Sequence, residues 1–567
     1  MLEFILTVVL IFLSILLFLT HSFGRTWREG EPPLVKGCLP FLGKAVEFSQ
    51  DALKLLTQLQ STHGDIFTVL IAGRYMTFVM NPLLYPAVVK HGRQLDFHVF
   101  TDTVAPPTFG YPPIRSGAYP GLPDRIQSSF QLLQGDQLTR LSHSMLGNLL
   151  ATLRHHFLGV GPGQREAGPD WQKVGSGREM GLYALCESLM FQASVLTLYG
   201  THNRTHSPGV LEELRRKFSQ FDARFPLLVG GMPIWLLART NALRGELIRH
   251  FDPRSMQQWD GPSDFIRTRV QLLNEYPLTD VEKGAHHFAI LWASVGNTIP
   301  AAFWVIYHLL AYPEAFAAVK SEIQEVLGIK GEGLSLNDDL TLTPEDLDRM
   351  IYLESAVCES LRLSSASMNV RVCQEDFEMR LDSQRSVHLR KDDIIALYPQ
   401  SMHMDPDIYP QPEVYKFDRF VLGSARRSEF FKRGQRLHYF LMPFGSGGSK
   451  CPGRFFALVE LKQLVCVLLL YCRLELAHTH THTHTPPKLD TARAGLGILP
   501  PKTDIAVCYA LLCTEKNEEG RGGGQGENEK KERGEGENKK KEREAEGENE
   551  IKDRLAMKEG LVNSPEE

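Results

Sequence analysis

The sequence predicts a mainly α-helical fold with a small β region, preceded by a transmembrane helix at the N-terminus. Three observations carry this reading. Apolar residues recur every three to four positions through Asp264 to Leu273, Asp280 to Ala318, Thr343 to Arg362 and Phe455 to Tyr471, the period of amphipathic and buried helices. Short alternating runs occur at Ile66 to Ile71, Met76 to Met80, Met379 to Leu389 and Asp393 to Leu397, and these read as strands. The residues from Phe4 to Leu19 are apolar or uncharged without a break. No internal repeat appears.

Taken in chain order, residues 1–24 come first. A bilayer core of about 30 Å needs roughly 20 residues of helix, and Met1 to Phe23 is long enough. A cleaved signal peptide wants a basic start and a small-residue cleavage site. Here the early charge is Glu3, and the positive charges Arg25 and Arg28 follow the apolar run. The positive-inside rule then places the N-terminus in the lumen and the body in the cytosol. Glu31-Pro32-Pro33 supplies a stiff hinge.

Residues 25–510 carry the balanced composition of one large domain. The net charge of −5 over 567 residues excludes an electrostatic nucleic-acid binder, and nine cysteines without paired spacing fit a reducing compartment. No Gly-rich phosphate loop or dinucleotide fingerprint is present, so reducing equivalents must come from another protein. His478 to Thr485 alternates His and Thr, a metal-tract pattern whose blander source is a slipped dinucleotide repeat. Residues 511–567 are dominated by Lys, Glu, Arg and Gly, with too few apolar groups to fold.

The most informative stretch is Pro443 to Arg454, which reads F-x-x-G-x-x-x-C-x-G and runs into an apolar helix. Phe444, Gly447 and Gly453 let a tight loop bring its backbone against a flat ligand while Cys451 points inward. Cys451 falls just before a helix N-terminus, where the dipole favours thiolate over thiol. A thiolate in such a cradle is one way of holding haem iron, making Cys451 the candidate metal ligand. The loop resembles the haem-binding loop of the cytochrome P450 superfamily.

That resemblance implies the P450 fold, with haem b on the Cys451 thiolate and electrons passed from NADPH by NADPH–cytochrome P450 reductase. It also implies roles for other residues. Glu359 and Arg362, in Glu-Ser-Leu-Arg, share a helix face by their spacing, and with Arg419 they correspond to the superfamily's structural lock behind the haem. Arg371 matches a propionate-binding position. The basic residue often found two before the cysteine is Ser449 here, and no Trp-x-x-x-Arg stretch lies upstream. The helix around Leu291-Trp-Ala-Ser-Val-Gly-Asn-Thr-Ile-Pro300 lacks the acid of the oxygen-activation motif. In one register Asn297 takes the threonine position, in the other Thr298 takes it with Asn297 in place of the acid. Asn297 has a second reading, as a polar residue at a bend caused by Pro300.

The divergent stretches Ala293 to Pro300, Leu361 to Arg371, Arg390 to Gln400 and Arg493 to Pro501 resemble the branch of the superfamily that hydroxylates cholesterol at carbon 7 on the α face. This implies a sterol substrate, the first step of bile acid synthesis and a single-pass protein of the endoplasmic reticulum membrane in contact with lipid. Candidate lining residues are Val229, Met232, Trp292, Asn297, Ala366, Ser367, Met368, Leu496 and Gly497. Lys432, Arg433, Arg436, Lys450, Arg454 and Lys462 are the candidate basic face for the reductase. Hydroxylation of another sterol position or of an oxysterol shares every motif. A prostacyclin-synthase-like isomerase is suggested by the missing acid, and a binder without turnover by the His-Thr insertion.

Overall fold

The computed structural model describes residues 25–512 apart from 38, 40, 159–164, 167–177, 203–208, 332, 336–337 and 478–485, together with Thr7 and Ser14. Apart from Thr7 and Ser14, the expected anchor falls outside the described residues, as do the His-Thr tract and residues 513–567. Leu511, assigned to the tail by composition, pairs with Cys472 as the last residue of strand Ala506–Leu511.

Seven helices position the site: α1 (Asp136–Leu158), α2 (Leu182–Tyr199), α3 (Gly209–Asp222), α4 (Asp280–Val295), α5 (Thr298–Ala311), α6 (Ile351–Ser364) and α7 (Arg454–Tyr471). Helices α2, α5 and α7 are apolar nearly all round, so each is buried on most faces. Helix α5 packs on α2 and α6, while α7 packs on α1 and α5. Among the described residues, the helical runs long and apolar enough to cross a membrane are Leu182–Tyr199 and Asp280–Ala311, and both lie mostly inside the core.

A six-stranded sheet flanks the bundle in the order Leu34–Val35, Ile66–Ile71, Arg74–Val79, Ile394–Leu397, Asn369–Cys373 and Leu95–Asp96. A second sheet orders Cys472–Leu476, Ala506–Leu511, Arg178–Gly181 and Arg165–Glu166.

Three expected elements differ. The run from Asp280 to Ala318 is broken twice. At Gly296–Asn297 the cause is Pro300, which has no N–H to return to the Gly296 carbonyl. Thr298 Oγ1 also donates to the Ser294 carbonyl at 2.8 Å, a back-bond that bends helices. At Tyr312 the chain extends, and Pro313 starts a new helix. Thr343 to Arg362 divides at Met350 into Pro344–Arg349 and α6. Met379 to Leu389 is a hairpin, Phe377–Arg380 against Ser386–Leu389. Its turn is held by the Asp382 carboxylate, which accepts from the N–H groups of Gln384 and Arg385 at 2.9 Å each.

Candidate functional site

The loop before α7 is closed by its own backbone. The Cys451 N–H donates to the Phe444 carbonyl at 2.8 Å, and a 3₁₀ turn at Gly447–Ser449 carries the chain between them. Gly447 has φ +56°, and a Cβ there would lie 2.6 Å from Val89 Cγ1, so only glycine fits. Arg454 Nη1 caps the loop by donating to the Cys451 carbonyl at 3.1 Å.

Burial pushes the Cys451 thiol above its ordinary pKa. The backbone N–H groups of Gly453 and Arg454 and the Arg454 charge pull the other way without prevailing. The helix N-terminus therefore favours the thiolate, as the sequence implies, but burial keeps these groups from ionising the sulfur unaided. A coordinated metal cation does so outright.

Asn369 and Arg371 lie two apart on strand Asn369–Cys373 and so face the same side, toward the loop. Asn369 Oδ1 accepts from Ser446 N–H (2.8 Å), Ser446 Oγ (3.2 Å) and Ser449 Oγ (3.3 Å). Arg371 Nη2 donates to the Ser446 carbonyl at 3.1 Å. Arg371 is 3% exposed, its Nη1 has no partner, and burial holds its guanidinium below the ordinary value despite nearby Tyr439. A buried cation with a free donor beside an inward-facing cysteine fits a haem with an acidic edge. Asn369 was missed in the sequence, although its spacing from Arg371 was the available signal.

Glu359, Arg362 and Arg419 do meet. Arg362 is fully buried and pairs bidentately with Glu359, Nε–Oε2 at 2.7 Å and Nη2–Oε1 at 2.8 Å. Arg419 Nε adds a bond to Glu359 Oε1 at 2.8 Å. The cluster reaches the cysteine loop through His403, also missed in the sequence. Arg362 Nη1 donates to the His403 carbonyl at 2.5 Å, and His403 Nε2 accepts from the Met442 N–H at 3.1 Å. Burial, with Arg362 adding to it, drives the His403 pKa down to about 3, so its ring is neutral and can accept. Met442 precedes the loop by one residue, so the ionic cluster sets where the loop begins.

Residues 364–368 pair with 495–499. The Ala366 N–H donates to the Gly497 carbonyl (2.9 Å), the Gly495 N–H to the Ala366 carbonyl (2.7 Å), and the Leu499 N–H to the Ser364 carbonyl (2.9 Å). Asn297 Oδ1, at the helix break, accepts from the Ile498 N–H at 3.0 Å. Its oxygen is thereby assigned, and the Nδ2 group points elsewhere. The approach is close enough that a Cβ on Gly497 would lie 2.0 Å from Asn297 Oδ1. The structure thus groups Asn297, Ala366, Ser367, Met368, Leu496 and Gly497 in one wall. Thr298, the other oxygen-activation candidate, is buried and has its hydroxyl hydrogen on Ser294. The wall stands despite the His-Thr tract that precedes it in sequence.

Trp292, one turn before the break, stacks on Phe225 with ring centroids 4.0 Å apart. Val229 packs at the edge of the same core, whereas Met232 is exposed and belongs to the rim. The proposed basic face is smaller than the sequence implied. Lys432 is buried against Asp405, and Lys462 is buried, donating to Glu354 Oε2 at 2.5 Å and to the Leu347 carbonyl at 3.0 Å. Arg436 is exposed but paired with Glu429 at 3.1 Å. Arg433, Lys450 and Arg454 remain.

Comparison with known proteins follows the same lines. The profile of the family "Cytochrome P450" matches residues 184–507. The chain is 37% identical to Cytochrome P450 7B1 of Mus musculus over 88% of this chain and 93% of that one. It is 39% identical to Cholesterol 7-alpha-monooxygenase of Cricetulus griseus, covering 86% and 95% respectively. Against 7-alpha-hydroxycholest-4-en-3-one 12-alpha-hydroxylase of Oryctolagus cuniculus the identity is 37%, covering 86% and 94%.

Proposed function

Because this chain belongs to the cytochrome P450 family, whose members hold haem on a cysteine thiolate and draw electrons from a reductase, we propose that it hydroxylates cholesterol at the 7α position. The observation that carries the sterol reading is the wall in which Asn297 is tied to the paired segments 364–368 and 495–499. One amide, Asn297, stands among Ala366, Met368, Leu496 and Gly497, which suits a rigid apolar body with a single hydroxyl. Similarity to Cholesterol 7-alpha-monooxygenase over nearly its whole length supports the regiochemistry.

Haem bound there would supply the chemistry by which one atom of dioxygen enters a substrate C–H bond and the other leaves as water, with two electrons and two protons taken up. The chain supplies the rest. Cys451 would hold the iron through its sulfur, Arg371 Nη1 would offer the propionates a charged donor, and the wall around Asn297 would orient the substrate. Arg433, Lys450 and Arg454 offer the reductase a basic contact.

The body faces the cytosol from the endoplasmic reticulum membrane, held by residues 1–24. Exposed Leu227, Met232, Trp235 and Leu236, with Phe41 and Leu42, form an apolar rim that meets lipid. The two groups adjoin: Phe41 covers Gly73, and Gly231 approaches the next residue, Arg74.

Reconstitution of the full chain with reductase, NADPH and cholesterol, with products identified by mass spectrometry, tests the proposal. The 7α-alcohol is expected, together with the reduced carbon monoxide spectrum of a sulfur-ligated haem, and Cys451→Ser loses both. A 12α product would move the chain to the activity named for two of its relatives, and turnover only of an oxysterol would change the substrate. Peroxide rearrangement without reductase would make it an isomerase.

A further inference from the structure

One carboxylate ties together three segments that surround the proposed sterol site. Asp222 is the last residue of α3. Its Oδ1 accepts from the Trp292 indole N–H of α4 at 2.8 Å. Arg493, two residues before the wall segment at Gly495, meets the same carboxylate with Nη1–Oδ2 at 3.0 Å and Nη2–Oδ1 at 3.1 Å. Arg493 Nη1 also donates to the Asp222 backbone carbonyl at 3.0 Å. The two side chains are only 19% and 12% exposed, so the pair is largely shielded from water. Bidentate geometry, a third donor and partial burial set it apart from an ordinary surface ion pair.

Its placement gives the pair a purpose. Farther back, α3 is held to α2 by Glu187, which takes Arg215 and Ser219. Beyond Asp222 the chain turns into the short helix Phe225–Val229 and then the exposed apolar segment through Trp235 and Leu236. Phe225 lies on the ring of Trp292. Helix α3 is therefore fixed on α2 through Glu187, and at its last residue, Asp222, where the segment 222–236 begins, the chain meets the wall, with Phe225 stacked on Trp292 just beyond. The neighbouring contacts of Phe225, stacked on Trp292 and tilted against Phe109, are apolar and less directional. The Asp222–Arg493 contact is directional and does not.

We propose that Asp222 and Arg493 form an ionic latch that holds the roof segment 222–236 on the wall segment 493–498 and sets how fast a bulky apolar ligand passes in and out. The inference deepens the sterol reading, since a fused-ring lipid is too large to slip past a closed roof. Asp222 and Arg493 act here as positioning residues: they touch the segments that touch the ligand.

The test uses the full-length holoprotein and two probes, cholesterol and a bulky azole that coordinates iron, each followed by its spectral shift in stopped flow. Asp222→Asn keeps an acceptor for Trp292 but removes the ion pair, and Arg493→Ala removes the other partner. Each variant is expected to raise the dissociation rate of both probes by about tenfold, and the double variant by no more than either alone. The carbon monoxide band stays unchanged in all of them. Rates within twofold of the original protein in haem-loaded variants, or effects that multiply in the double variant, would overturn the latch. Hydrogen exchange on the unmutated protein tests it without any variant. Amides in 222–231 and 493–498 should gain protection together when the azole binds, and independent protection would overturn the latch. Failure of cholesterol alone to bind, with the azole behaving as stated, sinks the substrate and spares the latch.

Discussion

Glu460 shows how far one side chain can depart from its usual chemistry. It lies on α7, fully enclosed, and its Oε1 accepts from Ser194 Oγ at 2.7 Å. Burial pushes its pKa up to about 8, with Ser194 pulling weakly the other way. In the unfolded chain the same group titrates near 4.3, give or take about a unit. Between these values the native state binds a proton that the unfolded state has lost. Stability from this group is fully present below the unfolded pKa, declines by about 1.4 kcal/mol per pH unit, and levels off above about 8. Glu460→Gln keeps the shape and an acceptor for Ser194 without the charge. The variant should match the parent near pH 4 and exceed it by several kcal/mol near pH 8, read by chemical denaturation at both values. Parallel slopes would show that Glu460 is ionised in the native state. The sequence held a cue here, a lone carboxylate inside Val459-Glu460-Leu461, but helical periodicity does not say which face is covered.

At the scale of elements, the break between α4 and α5 decides the shape of the site. Apolar periodicity runs through Asp280 to Ala318 without a gap, so the pattern predicts one helix. Pro300 acts four residues upstream, on the Gly296 carbonyl, and a pattern of side chains does not register a missing backbone donor. The turn in Met379 to Leu389 was hidden for a related reason: alternation continues through Leu381 across it. Where a motif depends on spacing within one element, the sequence was legible. The cysteine loop and the Glu359–Arg362 pair stand where spacing put them, and Arg371, expected from the family resemblance, reaches that loop. Where it depends on pairing between distant segments, as for Asn297 with Ile498 or Lys462 with Glu354, no local pattern marks it. The helix break makes a prediction of its own. Asn297→Ala leaves the Ile498 N–H without its acceptor and should cost about 1–3 kcal/mol in stability while loosening sterol binding. Asn297→Asp restores an acceptor and should recover the stability. Thermal unfolding and spectral titration of the two variants check this, and an alanine variant as stable as the parent would remove the tie from the account.

For the whole molecule, the C-terminal strand determines where the folded body ends. Ala506–Leu511 lies inside its sheet, between Cys472–Leu476 and Arg178–Gly181, and so joins segments more than 290 residues apart in sequence. Val507 and Tyr509 are buried there, and the Leu512 N–H still donates to the Tyr471 carbonyl at 2.9 Å. Beyond that the sequence holds mostly charged residues and glycine, with little to bury. Two truncations separate structure from appendage. A chain ending after Leu512 should bind haem, give the same carbon monoxide spectrum and unfold at the same denaturant concentration as the full chain. A chain ending after Asp504 loses an interior strand, which bares two sheet edges and the apolar face beneath them. It should aggregate or fail to take up haem. If the chain ending after Leu512 also lost its haem, residues 513–567 would belong to the fold, and composition would have misjudged them. If the shorter one kept its spectrum, the second sheet would not be needed to close the body around α1, α2 and α7.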